Sequence, residues 1–414
     1  MSTDICSAPA SASVASADGI LCAALDVGEH LLKNGAEIHR VEDTIERIGH
    51  ALGAVHVEVM AVTSFIVASV RMPDGSSHQQ LRRLPHSCNN LYMIEEMNEI
   101  SRELCAGRLP LDEVRPRILA AKAHRPYTWW MTVLAALVFG IGVALFFGGG
   151  FLDCVCVAFA GTLAFLLKSR RTQVNPMVVT LFSSCLGASL ALVLLWCGLG
   201  SNTYAVMSGT VMFLVPGLAF GNSFRDMLDG DTLAGMMRLF QTLLQALMLA
   251  LGFAAAIWLF GRSAVSTDGS MTHAWYILLP SGTLFAVGYA VMNMLPMRRL
   301  PWVSVGAMLT TFVFWLALPL GDFISNLLAV LFATLFCEIA ARLGRAPAIN
   351  FLTPTIIPLV PGGLLYYTVH FYIVGEHADA LAYGNQTLAA CFGIAAGVLL
   401  GSFLWRLILP KHKH

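Results

Sequence analysis

The chain has 414 residues, of which 57% are hydrophobic and only 12% charged, with 25 basic residues balancing 25 acidic ones. So little polar surface excludes a soluble globule of this length and points to a lipid bilayer. The cancelled charge leaves no argument for a nucleic-acid partner or an acidic substrate.

Residues 1–18, "MSTDICSAPASASVASAD", have neither a basic start nor an apolar run. They read as a disordered cytoplasmic tail, not a signal peptide. Residues 19–125 then obey soluble rules and predict a small α+β cytoplasmic domain. "GILCAALDVGEHLLKNG" reads as a helix closed by Asn34-Gly35, two residues that tolerate the left-handed conformation. A second helix follows in "NGAEIHRVEDTIERIGHALG", where Ile38, Val41, Ile45, Ile48 and Leu52 recur at three- and four-residue steps. Glu37, Arg40, Asp43, Glu46, Arg47 and His50 fill its other faces, so spacing alone predicts a solvated amphipathic helix. "VHVEVMAVTSFIVASVRMPDG" alternates and is rich in β-branched residues, which predicts two strands ending at Pro73-Asp74-Gly75. Helical spacing returns from Asn89 to Arg125, broken around Gly107 to Pro110.

From Trp129 the chain obeys bilayer rules. Glycine, proline and charge divide it into about ten apolar segments of roughly the ~20 residues that span hydrocarbon as helix. They lie near 129–148, 150–168, 175–198, 203–221, 236–260, 274–295, 300–319, 321–341, 348–371 and 386–408. Lys168, Arg170, Arg171, Arg225, Arg238, Arg298, Arg299, Arg342, Arg345, Lys411 and Lys413 then fall on one side, and the opposite loops hold only Arg262. The positive-inside rule makes that side, and both termini, cytoplasmic. The ten cysteines are scattered, without zinc or disulfide spacing, and read as reduced packing residues. Neither a metal nor a cofactor is expected.

Sliding this region on itself gives an offset of 145 or 146 residues. Phe139, Gly142 and Ala144 match Phe285, Gly288 and Ala290; Val215-Pro216-Gly217 matches Val360-Pro361-Gly362; Gly230-Asp231 meets Gly375-Glu376, and Gly252 meets Gly397. Two five-helix repeats follow, 126–262 and 263–414, the second ending in a short cytoplasmic tail. Five is odd, so the second copy enters the membrane from the opposite side: an inverted repeat, a plan common among secondary transporters.

The repeat also locates a candidate substrate site. Proline removes a backbone donor, so a membrane helix that carries it keeps polar groups needing partners. "FLVPG" interrupts the fourth segment and "NFLTPTIIPLVPG" the ninth. The candidate substrate-binding residues are therefore Asn175, Pro216, Gly217, Asn350, Thr353, Thr355, Pro358, Pro361 and Gly362. Freed amides suit a carboxylate and freed carbonyls an ammonium. A merely kinked helix satisfied by Thr353 or Thr355 is the plainer alternative.

Glu338 is the acidic residue placed well inside a span, and is the candidate for proton coupling. An interfacial ion pair with Arg342, four residues on, competes with that role. Asp153 and Asp322 sit at helix ends, where capping explains them. The stretch "GNSFRDMLDGDTLAGMMR" reads as a cytoplasmic loop in which Asn222, Arg225, Asp226, Asp229 and Asp231 gate or select substrate. Its acids lack the Asp-x-Asp-x-Asp-Gly order of a calcium loop. In the N-terminal domain, His39, Glu42 and Asp43 with Ser64 or Cys88 suggest hydrolysis, but no nucleophile elbow supports it.

"LLKNGAEIHRVEDTIERIGHALG", "GNSFRDMLDGDTLAGMMRL" and "IIPLVPGGLLY" together resemble the signatures of the threonine/serine exporter family. The likeness runs from about residue 20 to 408, and its first motif holds Asn34, Gly35, Glu37, Arg40, Glu42 and Asp43. Ile38-His39 departs from the family pattern, which puts Thr or Ser and an aromatic there. The resemblance implies export of small hydroxylated amino acids across a bacterial inner membrane, driven by protons, by ten helices after a cytoplasmic domain. Split relatives associated with succinate export leave a dicarboxylate as an alternative. One proton entering at ~150 mV yields roughly 3.5 kcal/mol, enough for a neutral amino acid gradient of about a few hundredfold. A dianion needs no such help to leave a negative-inside cell. A membrane-anchored hydrolase or sensor acting through the N-terminal domain is the reading from another class. The sequence leaves homo-oligomerisation open.

Overall fold

Ser16 opens the first helix, α1 (Ala17–Lys33), by accepting the Gly19 amide at 3.2 Å. Asn34 closes it and Gly35 turns the chain at φ 96°. The computed structural model describes residues 16–84, 88–169, 174–228, 230–260 and 274–408. The expected tail up to residue 15, Arg170, Arg171, Asp229, Arg262, Lys411 and Lys413 lie outside the described residues.

Helix α2 (Ile38–Ala51) buries Ile38, Val41, Ile45 and Ile48, the stripe its spacing predicts. Strands β1 (His56–Val62) and β2 (Phe65–Arg71) pair antiparallel, with Val62 opposite Phe65 at the turn. A third strand, β3 (Ser77–Arg83), continues the meander past Gly75, whose φ is 84°. Its sequence, SHQQLRR, has no β-branched residue, so the composition hides it. It lies at the sheet edge, where polar and charged residues discourage further pairing. Helices α3 (Leu91–Cys105) and α4 (Leu111–Ala123), separated at the expected break, complete this α+β unit.

The remainder is helical: α5 (Trp129–Phe146), α6 (Phe151–Ser169), α7 (Pro176–Trp196), α8 (Thr203–Met212), α9 (Gly217–Leu228), α10 (Thr232–Phe260), α11 (Trp275–Met292), α12 (Leu300–Ala317), α13 (Asp322–Gly344), α14 (Ala348–Ile356), α15 (Gly362–Val374) and α16 (His377–Ile408). Among the described residues eight helices are long and apolar enough to cross a membrane, and the α14–α15 pair, bent by 42°, makes a ninth. The expected fourth segment differs: α8 has 10 residues and α9 has 12. At ~1.5 Å per residue, neither alone crosses ~30 Å of hydrocarbon. The stretch expected as a loop at 221–238 is itself mostly helix, because Phe220, Phe224 and Met227 recur at helical spacing.

Glycines set the close helix approaches. A Cβ on Gly252 of α10 would lie 2.5 Å from the Leu181 carbonyl oxygen and 1.9 Å from Ser184 Oγ of α7. One on Gly397 of α16 would lie 2.8 Å from the Leu327 carbonyl oxygen and 2.8 Å from Val330 Cβ of α13. Gly142 of α5 abuts Leu284 and Phe285 of α11, while Gly288 of α11 abuts Phe139 of α5. Small residues that let backbones meet are the usual glue between membrane helices. Asp153 is buried and accepts the amides of Gly150, Ser201 and Asn202 at 2.8, 2.8 and 3.0 Å, which bears out capping.

Candidate functional site

Both Val-Pro-Gly sequences fold the same way. The Gly217 amide donates to the Val215 carbonyl at 2.9 Å, and the Gly362 amide donates to the Val360 carbonyl at 2.8 Å. Pro361, at φ −79° and ψ 53°, has the dihedrals of an inverse γ-turn. A helix resumes after each, through Phe220 to Pro216 and Leu365 to Pro361, both at 3.0 Å. The glycine amides expected to face a solute are thus engaged in the turns. The freed Leu214 carbonyl accepts from Lys168 Nζ at 2.7 Å, so a lysine counted as a loop charge takes an ammonium's place at the break.

The two breaks touch. A Cβ on Gly217 would meet Ile357 Cδ1 at 2.6 Å and Val360 Cγ2 at 3.7 Å; one on Gly362 would meet Met212 Sδ at 2.2 Å and Val215 Cγ2 at 3.4 Å. Between α9 and α14 lies a small cavity lined by Gly217, Gly221, Asn222, Arg225, Ile349 and Thr353. Gly217, Gly221 and Arg225 fall at four-residue steps and share one face of α9. A Cβ on Gly221 would meet nothing within 4 Å, so the missing side chain leaves space beside the guanidinium.

The charges around this cavity join the N-terminal unit to the bundle. Arg225 NH1 lies 2.8 Å from Glu37 Oε1, and its NH2 donates to Glu338 Oε1 at 3.2 Å. Asn222 Nδ2 donates to the Gly35 carbonyl at 2.7 Å, and Arg238 donates to the Ala36 carbonyl at 3.2 Å. Glu37 stands at the N-cap position of α2 yet makes no cap bond with its side chain. Asp226 Oδ1 instead accepts the Ile38 amide at 2.9 Å, while its Oδ2 lies 3.2 Å from Arg238 Nε. The bundle caps the helix whose own capping carboxylate is lent to the bundle. The Asp231 amide donates to the Asp226 carbonyl at 2.9 Å and begins α10.

A second attachment reaches the α11–α12 connection and α14. Glu95 of α3, 2% exposed, accepts from Arg298 NH2 and Arg299 NH2 at 2.7 Å each. The Leu91 amide donates to the Asn293 carbonyl at 2.9 Å, and Asn350 Nδ2 donates to the Leu91 carbonyl at 3.2 Å. The Asn90 amide donates to the Asn34 carbonyl at 3.3 Å and so links the two attachments.

Glu338 therefore pairs with Arg225, 113 positions away, while Arg342 turns to the Trp405 ring at 5.0 Å. The local spacing suggested the wrong arginine because packing, not helix register, supplies the partner. Asn175 is exposed and caps α7 by accepting the Met177 amide at 2.9 Å, far from any break in role. Thr353 lines the cavity, Thr355 is buried against Gly306, and Pro358 lies in the 3-10 turn that joins α14 to the second break. Asp43 pairs on the surface with Arg47 at 3.3 Å, as expected. Glu37 and Arg40 leave the solvated face that spacing gave them. Burial lowers the affinity of Arg40 for its proton. Burial pushes the Glu42 carboxyl up to about 7, against the opposing Ala61 amide that donates to it at 2.7 Å. Of the groups considered for hydrolysis, Cys88 donates to Asn34 Oδ1 at 3.3 Å and Glu42 holds the Ala61 amide, both structural contacts. No cluster of metal-ligating residues occurs among the described residues. Spacing missed Lys168, Glu95 and Arg299, whose partners all lie far along the chain.

Residues 23–260 match the ThrE model of threonine/serine exporters, and residues 281–404 match a second, described as "Threonine/Serine exporter, ThrE". The "Threonine/serine exporter" of Corynebacterium glutamicum is 23% identical over 94% of this chain and 83% of its own. The "Probable threonine/serine exporter" of Mycobacterium tuberculosis is 21% identical over 93% of this chain and 76% of its own. The "Probable succinate transporter subunit YjjP" of Escherichia coli is 26% identical over 57% of this chain and 93% of its own. No solved structure matches.

Proposed function

Because the chain belongs to the threonine/serine exporter family, we propose that it exports small amino acids, threonine, serine or a similar zwitterion, by proton-driven alternating access. The observation that carries this reading is that the two Val-Pro-Gly breaks touch, and that Gly217 of the first lines a cavity with Asn222, Arg225 and Thr353. A guanidinium recognises a carboxylate, and the adjoining Glu338 carboxylate suits an ammonium. The same carboxylate repels one end of a dianion. A zwitterion fits this pair of charges and a dicarboxylate does not.

Counting α8–α9 as a second broken span gives ten crossings in two inverted repeats. The glycine contacts support that count: Gly217 abuts Ile357 and Val360, and their partners by the 145-residue offset, Gly362 with Met212 and Val215, abut each other. Such reciprocity is what a two-fold relation requires. Arg225, Arg238, Arg298 and Arg299 all reach the N-terminal unit, which supports a cytoplasmic position for that unit and both termini in a bacterial inner membrane.

Glu338 carries the proton in this cycle. Protonated, it releases Arg225 and the solute's ammonium; ionised, it holds them. In vesicles loaded with labelled L-threonine, Glu338→Gln is expected to abolish acceleration by an inward proton gradient while exchange persists. Undiminished gradient-driven flux in that variant would remove Glu338 from the coupling. The relation to the E. coli succinate transporter subunit favours a second reading, dicarboxylate export, and labelled succinate in the same vesicles decides between them.

A further inference from the structure

We propose that Arg225 is a carboxylate-exchange site: Glu37 occupies it in the absence of solute, and the carboxylate of an entering solute displaces Glu37 and unlatches the N-terminal unit. The inference rests on the transport reading for the origin of the solute, but its chemistry is a property of Arg225 alone.

Arg225 divides its nitrogens between two carboxylates that belong to different parts of the molecule, Glu37 at 2.8 Å and Glu338 at 3.2 Å. A guanidinium binds a carboxylate best through two parallel bonds, and here the nearest contacts of its two terminal nitrogens go to different carboxylates, NH1 to Glu37 and NH2 to Glu338. A solute carboxylate arriving from the cavity side competes with Glu37 for the guanidinium. The empty space at Gly221, one turn along the same face, gives it a place beside the guanidinium.

Glu37 is suited to leave. Its side chain does not cap α2, since Asp226 accepts the Ile38 amide in its stead. The other bonds that hold residues 34–38 to the bundle are to backbone groups: Asn222 to the Gly35 carbonyl, Arg238 to the Ala36 carbonyl and Asp226 to the Ile38 amide. The Glu37–Arg225 contact is an ion pair between this motif and the cavity wall, so losing it loosens the attachment. The Glu95 attachment to Arg298 and Arg299 lies on α3 and stays in place. The unit swings on the second attachment when the first is released.

The chemistry defines the ligand class as small monocarboxylates with room for an ammonium next to Glu338. It also makes occupancy of the site self-reporting, because the latch opens only when carboxylate is present.

The test is hydrogen exchange on the full-length protein in lipid nanodiscs, followed in peptides covering residues 34–40, with residues 65–71 of β2 as the internal reference. L-Threonine, L-threoninamide and propionate are the probes. Threonine and propionate are expected to speed exchange in 34–40 without changing 65–71, and threoninamide, which has the ammonium but no carboxylate, to leave both unchanged. Glu37→Gln is expected to show fast exchange in 34–40 without any probe, and to bind threonine about tenfold more tightly, or ~1.4 kcal/mol, once the internal competitor is gone. Exchange in 34–40 that is unaffected by both carboxylates overturns the proposal, as does equal acceleration by threoninamide. These results are separable from the transport reading. Propionate opening the latch in a protein that moves no threonine supports the site and refutes amino acid export. Threonine transport with an unmoved latch does the reverse.

Discussion

Glu42 shows how far a side chain's behaviour departs from its position in a pattern. A carboxylate on an amphipathic helix is usually wet, yet this one, four residues after Ile38 and three before Ile45, borders the apolar stripe, where β1 covers it and the Ala61 amide donates to it. Its carboxyl is raised from 4.5 to about 7, so protonation is favoured in the folded state. The stability it contributes is complete below about pH 4.5 and is lost as pH rises through about 7. His30, buried and lowered to about 4, has the opposite sign, but its effect is confined to pH below 6.5. Between pH 6.5 and 8 the thermal midpoint is therefore expected to fall in the wild type. Glu42→Gln, which keeps the acceptor for Ala61, is expected to flatten that decline, and thermal melts across the range check it. Gly221 offers a test of the cavity at the same scale. Gly221→Ala adds a methyl to open space and improves helix propensity by up to ~1 kcal/mol, so flux and stability are expected to survive. Gly221→Phe is expected to fill the cavity and lose most threonine flux with its thermal midpoint near wild type. Vesicle transport and melting curves on both variants read the two outcomes.

At the scale of elements, helices whose stripes depend on their own neighbours were legible and those defined by partners were not. The burial of Ile38, Val41, Ile45 and Ile48 follows from spacing, and the Asn34-Gly35 stop follows from backbone conformation. β3 was hidden because an edge strand of polar residues lacks the signal of a buried one. The broken helices were visible as prolines, but not the fate of their freed groups: an inverse γ-turn for each glycine amide and Lys168 for the Leu214 carbonyl. Arg225 was legible as a gating candidate and Glu338 as a buried acid, whereas their pairing depends on a contact across 113 positions. The α7–α10 and α13–α16 pairs supply a test of the packing itself. Gly252→Ala and Gly397→Ala each force a Cβ into a backbone oxygen, at 2.5 and 2.8 Å. Overpacking of this kind costs about 1–3 kcal/mol, and comparable losses at both sites, measured by thermal melts in one detergent, are expected. A large loss at one and none at the other would count against equivalent roles in two repeats.

Across the whole molecule the N-terminal unit clasps the helical bundle at two separate places. Residues 35–38 hold α9 and α10, while Leu91 and Glu95 hold the α11–α12 connection and α14. On the proposed alternating access, an opening of the bundle there would separate elements that this unit ties together. The motif that most resembles the family is thus placed against the stretch that forms the cavity wall. Its polarity reflects a binding partner inside the same chain as much as contact with water. On the proposed mechanism, the cavity beside the first break passes a zwitterion at the expense of a proton. The most direct measurement is efflux of labelled L-threonine from vesicles containing the purified wild-type protein, with and without an acidified exterior. Acidification is expected to accelerate threonine efflux, a protonophore to cancel the acceleration, and labelled succinate not to respond. Threonine held inside under every condition, or succinate leaving in its place, would contradict the mechanism.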